Sequence, residues 1–253
     1  MSRLFEYLDD QIFCHHSYDE SPEALRFYMH AHERLELYYF ISGNVDYIVE
    51  GTTYHLTPGD LILTHSAEVH KPIIYPGEPY ERVSIQFDAS LIEEIDKSGL
   101  LLRPFFDRSL GQMNLYHAHD QYGIRYVSCF DGFDLPTVPE AKRLNIISVL
   151  LGAMMGVSRQ FESISHEERY PDIDGIAGQL INYINQGLFT KVSVASISQH
   201  FFMSESQANR IFKKATGSSI WEYIRIKRLL AAREKILAGE SAALAAASCG
   251  FQD

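Results

Sequence analysis

"VSVASISQHFFMSESQANRIFKKATGSSIWEYIRIKRLLAAREKIL" (192–237) decides the fold of the C-terminal part of the chain. Its apolar spacing predicts two short helices, at about 194–201 and 205–216, and a longer helix at about 220–237. Ser204 is the predicted N-cap of the second helix, because its hydroxyl can accept a bond from a free backbone N–H. Gly217 is a typical helix end. Two short helices joined by a tight turn indicate a helix-turn-helix.

The second short helix separates apolar from polar side chains. Ala208, Ile211 and Phe212 share one face, so the remaining faces are polar. The second helix of a helix-turn-helix enters the major groove of DNA, where amides suit adenine, Arg suits guanine and Lys suits phosphates. The predicted DNA-binding residues are Ser204, Ser206, Gln207, Asn209, Arg210, Lys213 and Lys214. The pattern alone is equally typical of a solvated amphipathic helix in an all-α domain.

A family resemblance supports the DNA-binding interpretation. The stretches "MSESQANRIFKKATGSSIWEYIRIKRLLAAREKIL" (203–237) and "ALAAASCGFQD" (243–253) resemble the DNA-binding domain of the AraC/XylS family of bacterial transcription regulators. The resemblance covers about 176–253 and implies two helix-turn-helix units joined by a long central helix, here 220–237. Ser198 stands where the family usually has Ala, and Ala208 where it usually has Leu. The resemblance places a second recognition helix after Asp253, so we expect a C-terminally truncated chain.

The N-terminal part has a different pattern. Between residues 25 and 88, short aromatic and β-branched runs alternate with Gly and Pro turn signals, which favours an antiparallel barrel or sandwich. After about residue 139 the apolar spacing becomes helical. The predicted fold class is therefore α+β, with an antiparallel β-barrel followed by an all-α helix-turn-helix domain. We predict an effector-binding domain at 1–138, a helix and linker at 139–171 and a DNA-binding domain at 172–253.

Histidines are concentrated in the predicted barrel. "HAHERLELYYFISG" (30–43) would place His30 and His32 on one face of a strand. With Glu36 and His70 they form a set suited to a divalent transition metal. This region resembles the cupin barrel, although His65 and Ala67 stand where metal-binding cupins usually have Pro and Gly. The predicted ligand-binding residues are His30, His32, Glu36, Tyr38, His65 and His70, and the predicted metal ligands are His30, His32, Glu36 and His70.

The same histidines have a second interpretation. Regulators of the resembled family commonly keep such a His-x-His pair and a later His as the lining of a ligand pocket that holds no metal. The sequence therefore leaves a metal centre and a metal-free pocket both open, and no cofactor is required.

The charge is divided unevenly along the chain. The net charge is −11, but residues 205–235 contain 8 Lys and Arg against 3 Asp and Glu. An acidic body with a locally basic C-terminal part suggests two domains with different partners. Three widely spaced cysteines and no predicted leader or membrane span favour reduced thiols and a cytoplasmic location.

Two functional hypotheses follow. The first is a homodimeric, ligand-responsive transcription regulator that binds promoter DNA and a small molecule, with carbohydrates as one effector class. The second is a metal-dependent cupin enzyme, an oxygenase or isomerase. The basic helical part favours the first, because a small cupin enzyme has no need of a helix-turn-helix. We therefore predict a regulator and not an enzyme.

Overall fold

A computed structural model describes residues 2–22, 27–66, 68–119, 126–134, 138–164, 175–189 and 192–251. Antiparallel strands occupy the N-terminal half and α-helices most of the remainder. The strands are β1 (Ser2–Leu8), β2 (Ile12–Asp19), β3 (Leu35–Ser42), β4 (Val45–Val49), β5 (Thr52–His55), β6 (Leu61–Thr64), β7 (His70–Ile74), β8 (Tyr80–Phe87) and β9 (Leu115–Tyr116). The helices are α1 (Ala89–Ile95), α2 (Arg103–Phe106), α3 (Pro139–Glu162), α4 (Gly175–Gln186), α5 (Val194–His200), α6 (Glu205–Thr216), α7 (Ile220–Leu237) and α8 (Ala242–Ser248), with a 3-10 helix at Tyr126–Phe130.

The strands form two sheets. One has the order β1-β2-β8-β3-β6-β9 and the other the order β5-β4-β7, and the paired strands in both are antiparallel. Aromatic and aliphatic side chains from both sheets share one hydrophobic cluster, so the sheets face each other. The α+β class is thus confirmed, with a two-sheet arrangement in place of a single closed barrel.

Strand β3 is buried on both faces. Leu35, Leu37 and Tyr39 point to a core that α1, α2 and α3 complete, whereas Tyr38 and Phe40 point between the sheets. The run "LELYYF", which is apolar and aromatic apart from the buried Glu36, follows from this position, because a strand covered on both sides needs no polar face.

Helix α3 lies over the outer face of the six-stranded sheet. Its buried residues, including Ile146, Leu150 and Val157, belong to the same core as β3 and β8. By length and composition alone, 140–162 could cross a membrane. In this fold its apolar side instead covers the sheet, as expected of a core helix.

The N-terminal elements differ from the prediction. Strands β1 and β2 were not predicted, yet β2 lies between β1 and β8 inside the larger sheet. The strand expected at His30 and His32 is reduced to one isolated bridge between His30 and His70. In the predicted helix and linker (139–171), α3 extends as far as Glu162, while 165–174 lie outside the described residues.

The C-terminal helices follow the prediction closely, because capping residues mark their ends. Ser204 and Ser219 cap α6 and α7 through their hydroxyls, and Gly217 ends α6 at a φ of 78°. These helices surround a second core built on Leu180, Ile184, Ile197, Phe212 and Tyr223. Helix α8 packs Ala245 against Ala232 of α7.

A buried ion pair fixes the loop region beside the smaller sheet. Arg108 contacts Glu68 through two nitrogen–oxygen pairs, at 2.6 and 2.9 Å, and both side chains are fully buried. The Gly111 N–H and the Asn114 amide also donate to this carboxylate, at 2.8 and 3.0 Å. Burial opposes ionisation, but Arg108 outweighs it and lowers the pKa of Glu68 to about 2.

We expect Glu68→Gln to lower the free energy of unfolding by about 3 kcal/mol at pH 7, because it leaves Arg108 buried without its anion. An unfolded glutamate titrates near 4.3. The stabilisation is therefore complete above that pH and is lost as the pH falls towards 2. Urea unfolding at pH 7 and pH 3 would check this. An equal difference between wild type and variant at both values would contradict it.

Candidate functional sites: a histidine cluster and a helix-turn-helix surface

Three histidine rings converge between the sheets. The backbones of His30 and His70 exchange two hydrogen bonds, of 3.1 and 2.8 Å, and their ring centroids lie 4.5 Å apart. The ring of His32 is 5.0 Å from that of His70. One potential ligand atom from each histidine lies within 4.8 Å of the other two.

The protonation pattern of the three rings is set by backbone carbonyls. Nδ1 of His30, His32 and His70 lies 2.8 to 2.9 Å from the carbonyl oxygens of Tyr28, Arg34 and Glu68, respectively. A carbonyl can only accept, so each Nδ1 carries a proton and donates it. The lone pair of each neutral ring is therefore on Nε2. A backbone or carboxylate partner on the second nitrogen is the usual arrangement for a metal-ligating histidine.

Glu36 completes the cluster. Its Oε2 lies 2.9 Å from Nε2 of His32 and 3.2 Å from Nε2 of His70, and Ser84 donates to its other oxygen. Burial would raise the pKa of Glu36, but the bond from a protonated His32, together with the nearby ring of His70, holds it well below its usual range. In return, Glu36 raises the pKa of His32 despite the burial of that ring.

His70 has an unusual polar atom. The ring is fully buried, and its Nε2 makes no hydrogen bond within the part of the chain that the structure describes, although Glu36 is close. A buried nitrogen without an aligned partner carries a cost unless something else satisfies it. Three imidazole nitrogens and one carboxylate form a donor set that fits a divalent transition metal.

The remaining two predicted ligand residues lie outside this set of converging atoms. Tyr38 is buried in the aromatic cluster, with its hydroxyl 2.5 Å from that of Tyr80. Its ring contacts Tyr47, which in turn stacks against His70. The ring of His65 stacks on Phe106, at 5.5 Å, and burial lowers its pKa.

The histidine segment has a second face. Met29 and Ala31, which alternate with His30 and His32, pack with the helical core. Val69, next to His70, is buried in that same core. The backbone that presents the histidines to one side therefore presents apolar side chains to the helices on the other.

The helix-turn-helix consists of α5, a short turn and α6. Ser193 begins α5 with a capping box, and the Ser204 hydroxyl accepts from the backbone N–H of Gln207 at 3.2 Å, as predicted. In the turn, Phe202 has a φ of 52° and is 98% exposed. Ala208 and Phe212 of α6 are fully buried, so the orientation of this helix is fixed by the core.

Most predicted DNA-binding side chains lie on the free surface of α6. Ser204, Ser206, Gln207, Arg210, Lys213 and Lys214 are exposed. Asn209 is only half-buried and has a structural partner, because its Oδ1 accepts the first backbone N–H of α7, from Ile220, at 3.2 Å. Its side chain joins α6 to α7 and is less available to DNA than its neighbours.

The start of α7 adds to this surface. Trp221 is 61% exposed, and the Arg225 guanidinium lies 5.0 Å from its ring centre. At the C-terminal end of α6, a Cβ placed on Gly217 would lie 2.6 Å from Lys71 of β7. The C-terminal end of the recognition helix thus rests against the smaller sheet.

Two domain families match the chain in the order that the structure suggests. Residues 18–121 match the family model described as the AraC-like ligand binding domain, and residues 197–253 match a helix-turn-helix domain. The chain belongs to the AraC-like family of transcription regulators. An AraC-like regulator of this kind binds DNA through its helix-turn-helix and a small-molecule effector through its N-terminal domain. The regulator hypothesis is thereby confirmed over the cupin enzyme.

The chain is also similar to several solved structures. ToxT from Vibrio cholerae O395 is similar over 97% of this chain and 90% of that chain, at 13% identity and a TM-score of 0.40. The AraC-like transcriptional activator CuxR is similar over 89% of this chain and 78% of its own, at 12% identity and a TM-score of 0.44. The DMSP lyase DddQ from Ruegeria pomeroyi DSS-3 matches 32% of this chain and 40% of its own, at 22% identity and a TM-score of 0.28. No curated protein sequence matches the chain.

Proposed function

We propose that the effector site of this AraC-like regulator is the histidine cluster. The proposal rests on one observation: Nδ1 of each histidine faces a backbone carbonyl, while one potential ligand atom from each ring lies within 4.8 Å of the other two. His30, His32 and His70 would hold a divalent transition metal, with Glu36 beside them. Such an ion, when bound, supplies a Lewis acid that can attract an oxygen ligand.

The surroundings of the cluster favour an oxygen-rich effector. Tyr47 stacks at 6.1 Å from His70, and the hydroxyls of Tyr38 and Tyr80 lie nearby in the same aromatic cluster. Aromatic faces and phenol groups suit carbohydrates, which we propose as the effector class. The metal-free alternative uses the same residues, with the rings donating or accepting hydrogen bonds directly.

Ligand binding at the histidine cluster would affect the DNA-binding domain through residues 29–32, which contact the cluster on one face and the helical core on the other. His30 and His32 alternate with Met29 and Ala31, which contact the helical core. An effector changes DNA occupancy only if it binds two arrangements of the protein with different affinity. Movement of residues 29–32 would give the effector a different affinity for the two arrangements of the domains.

We further propose that α6 reads DNA through its exposed face. Arg210 and Gln207 lie in its N-terminal half, where side chains of a recognition helix reach base edges. Lys213 and Lys214 would contact phosphates, with Ser204 and Ser206 at the helix start. Asn209 belongs to the same proposed set, although its bond to α7 favours a positioning role. These assignments accompany a proposed division into an effector domain (1–138), a helix and linker (139–171) and a DNA-binding domain (172–253), in the cytoplasm.

Arg210→Ala should weaken specific DNA binding by about 1 to 3 kcal/mol if the guanidinium pairs with a guanine. The measurement is fluorescence anisotropy with a DNA duplex selected by the wild-type chain from a random pool. Lys235→Ala, a cation at the far end of α7, is the matched control and should bind nearly as well as wild type. Unchanged affinity in Arg210→Ala would remove this residue from the interface.

The histidine cluster should bind Zn²⁺ in chain freed of metal by a chelator. In isothermal titration calorimetry, we expect His32→Ala and His70→Ala to weaken binding by more than about tenfold, since each removes a ligand. His55→Ala alters an exposed histidine on β5 and should leave the affinity unchanged. Absence of Zn²⁺ binding in wild type would refute the metal proposal, and monosaccharide titrations of the same sample would then test the metal-free pocket.

We propose that α3 also supplies the homodimer contact. Leu144 is 67% exposed and Met155 is 45% exposed, and Ile147 and Leu151 between them are only partly buried. This spacing leaves an apolar stripe on the outer side of the helix. In sedimentation velocity, Leu144→Glu should shift the chain from dimer to monomer. A monomeric wild type, or a dimeric variant, would contradict this contact.

A further inference from the structure

The turn between β4 and β5 projects into the helical domain. A Cβ placed on Gly51, at the tip, would lie 2.6 Å from Cδ1 of Ile181 in α4 and 3.4 Å from Cγ2 of Thr216 in α6. Gly51 also has a φ of 88°, which a glycine adopts at little cost. The tip of an effector-domain turn is therefore seated among helices of the DNA-binding domain.

The residue before this glycine is a buried carboxylate with partners in both domains. Glu50 is 4% exposed, and its Oε1 lies 2.7 Å from Nζ of Lys227 in α7. The same oxygen accepts the Val69 N–H at 2.6 Å. Its other oxygen accepts a hydrogen bond from the hydroxyl of Tyr223, which also lies 3.0 Å from Oδ1 of Asn185. Glu50 thus joins the smaller sheet to α7, and Tyr223 extends this contact to Asn185 in α4.

The backbone holds Glu50 in an uncommon conformation. Its φ is 49°, in the left-handed region that residues other than glycine rarely adopt. A Cβ on Gly111 would lie 2.6 Å from the Cβ of Glu50, so the neighbouring loop leaves no room for movement on that side. A left-handed backbone conformation at a residue other than glycine persists where the surrounding structure enforces it. The Glu50 carboxylate is therefore fixed in the position from which it contacts Lys227 and Tyr223.

Because the ion pair is buried, we expect Glu50 and Lys227 to be either fully paired or fully separated. Lys227 is 5% exposed, so separating the domains would transfer both charges to water together. The net stabilisation of such a pair is small, because desolvation offsets attraction, whereas removing one partner alone is strongly unfavourable. A contact of this type fixes one arrangement of two bodies without making their separation prohibitively costly.

We propose that Glu50 is an interdomain latch, which holds α4 and α7 of the DNA-binding domain in one orientation against the effector domain and frees them when its bonds to Lys227 and Tyr223 break. The latch is separate from the histidine cluster, and it does not depend on whether that cluster binds a metal.

The chain offers a matched control. Glu33 and Arg233 form a second ion pair between the effector domain and α7, but their side chains are 33% and 48% exposed. An exposed pair contributes little, because water screens it. Glu33→Gln therefore removes one interdomain charge pair without touching the buried one.

The test compares Glu50→Gln, Lys227→Met and the double variant with Glu33→Gln in the full chain. The measurements are hydrogen–deuterium exchange and the radius of gyration from small-angle X-ray scattering. Each single latch variant should speed amide exchange in α4 and in the first two turns of α7 by roughly tenfold or more. Their radius of gyration should also increase, while Glu33→Gln behaves like wild type.

The double variant should lie closer to wild type than either single one, because it leaves no buried charge unpaired. Exchange and radius of gyration indistinguishable from wild type in both single variants would overturn the latch. So would an equal loss of protection throughout the strands of the six-stranded sheet, since that outcome indicates general destabilisation. If a single variant does not fold, faster exchange in α4 and α7 of the double variant than in Glu33→Gln supports the latch, and exchange equal to that of Glu33→Gln overturns it.

Discussion

The structure depends on the backbone pairing of His30 with His70. The backbone N–H of each residue donates to the C=O of the other. Because successive side chains alternate along an extended backbone, this pairing fixes which of the neighbouring side chains point to each face. The imidazoles face the space between the sheets, and the neighbouring apolar side chains Met29 and Val69 face the helices. A shift of one residue in this pairing would exchange the two faces, removing both the cluster and the domain contact.

The two kinds of contact between the domains have different physical properties. Met29, Ala31 and Val69 provide an apolar contact, which tolerates small rotations and has no directional requirement. Glu50, Tyr223 and Lys227 provide a directional one, since hydrogen bonds and an ion pair require alignment. Together they suit a protein whose domains must remain joined and yet take up defined relative positions.

The helices of the DNA-binding domain could be predicted from sequence because local signals determine their ends. Ser204, Gly217 and Ser219 each act on the nearest turn of backbone. Strands β1 and β2 were missed because they are defined by pairing with distant β8, which no local signal reveals. His65 lies outside the converging set because it follows the last residue of β6, where strand alternation no longer applies.

The candidate sites also fall into two groups, one predictable from local sequence signals and one that depends on contacts between distant residues. The His-x-His spacing and the later His70 predicted the cluster, because alternation over three residues is local. The contact of Glu50 with Tyr223 spans 173 residues, and in the sequence Glu50 looks like a turn residue and Lys227 like part of a basic helix. A buried ion pair between domains leaves no periodic trace, so only the structure could reveal it.

The position of Trp221 has a practical consequence. It is the single tryptophan of the chain, and it is exposed at the first turn of α7, two residues before Tyr223. Its emission therefore originates from one known place, at the junction of the recognition helix and the long helix. The protein carries an intrinsic optical reporter at the point where DNA contact and domain orientation meet, and no label need be introduced to follow either.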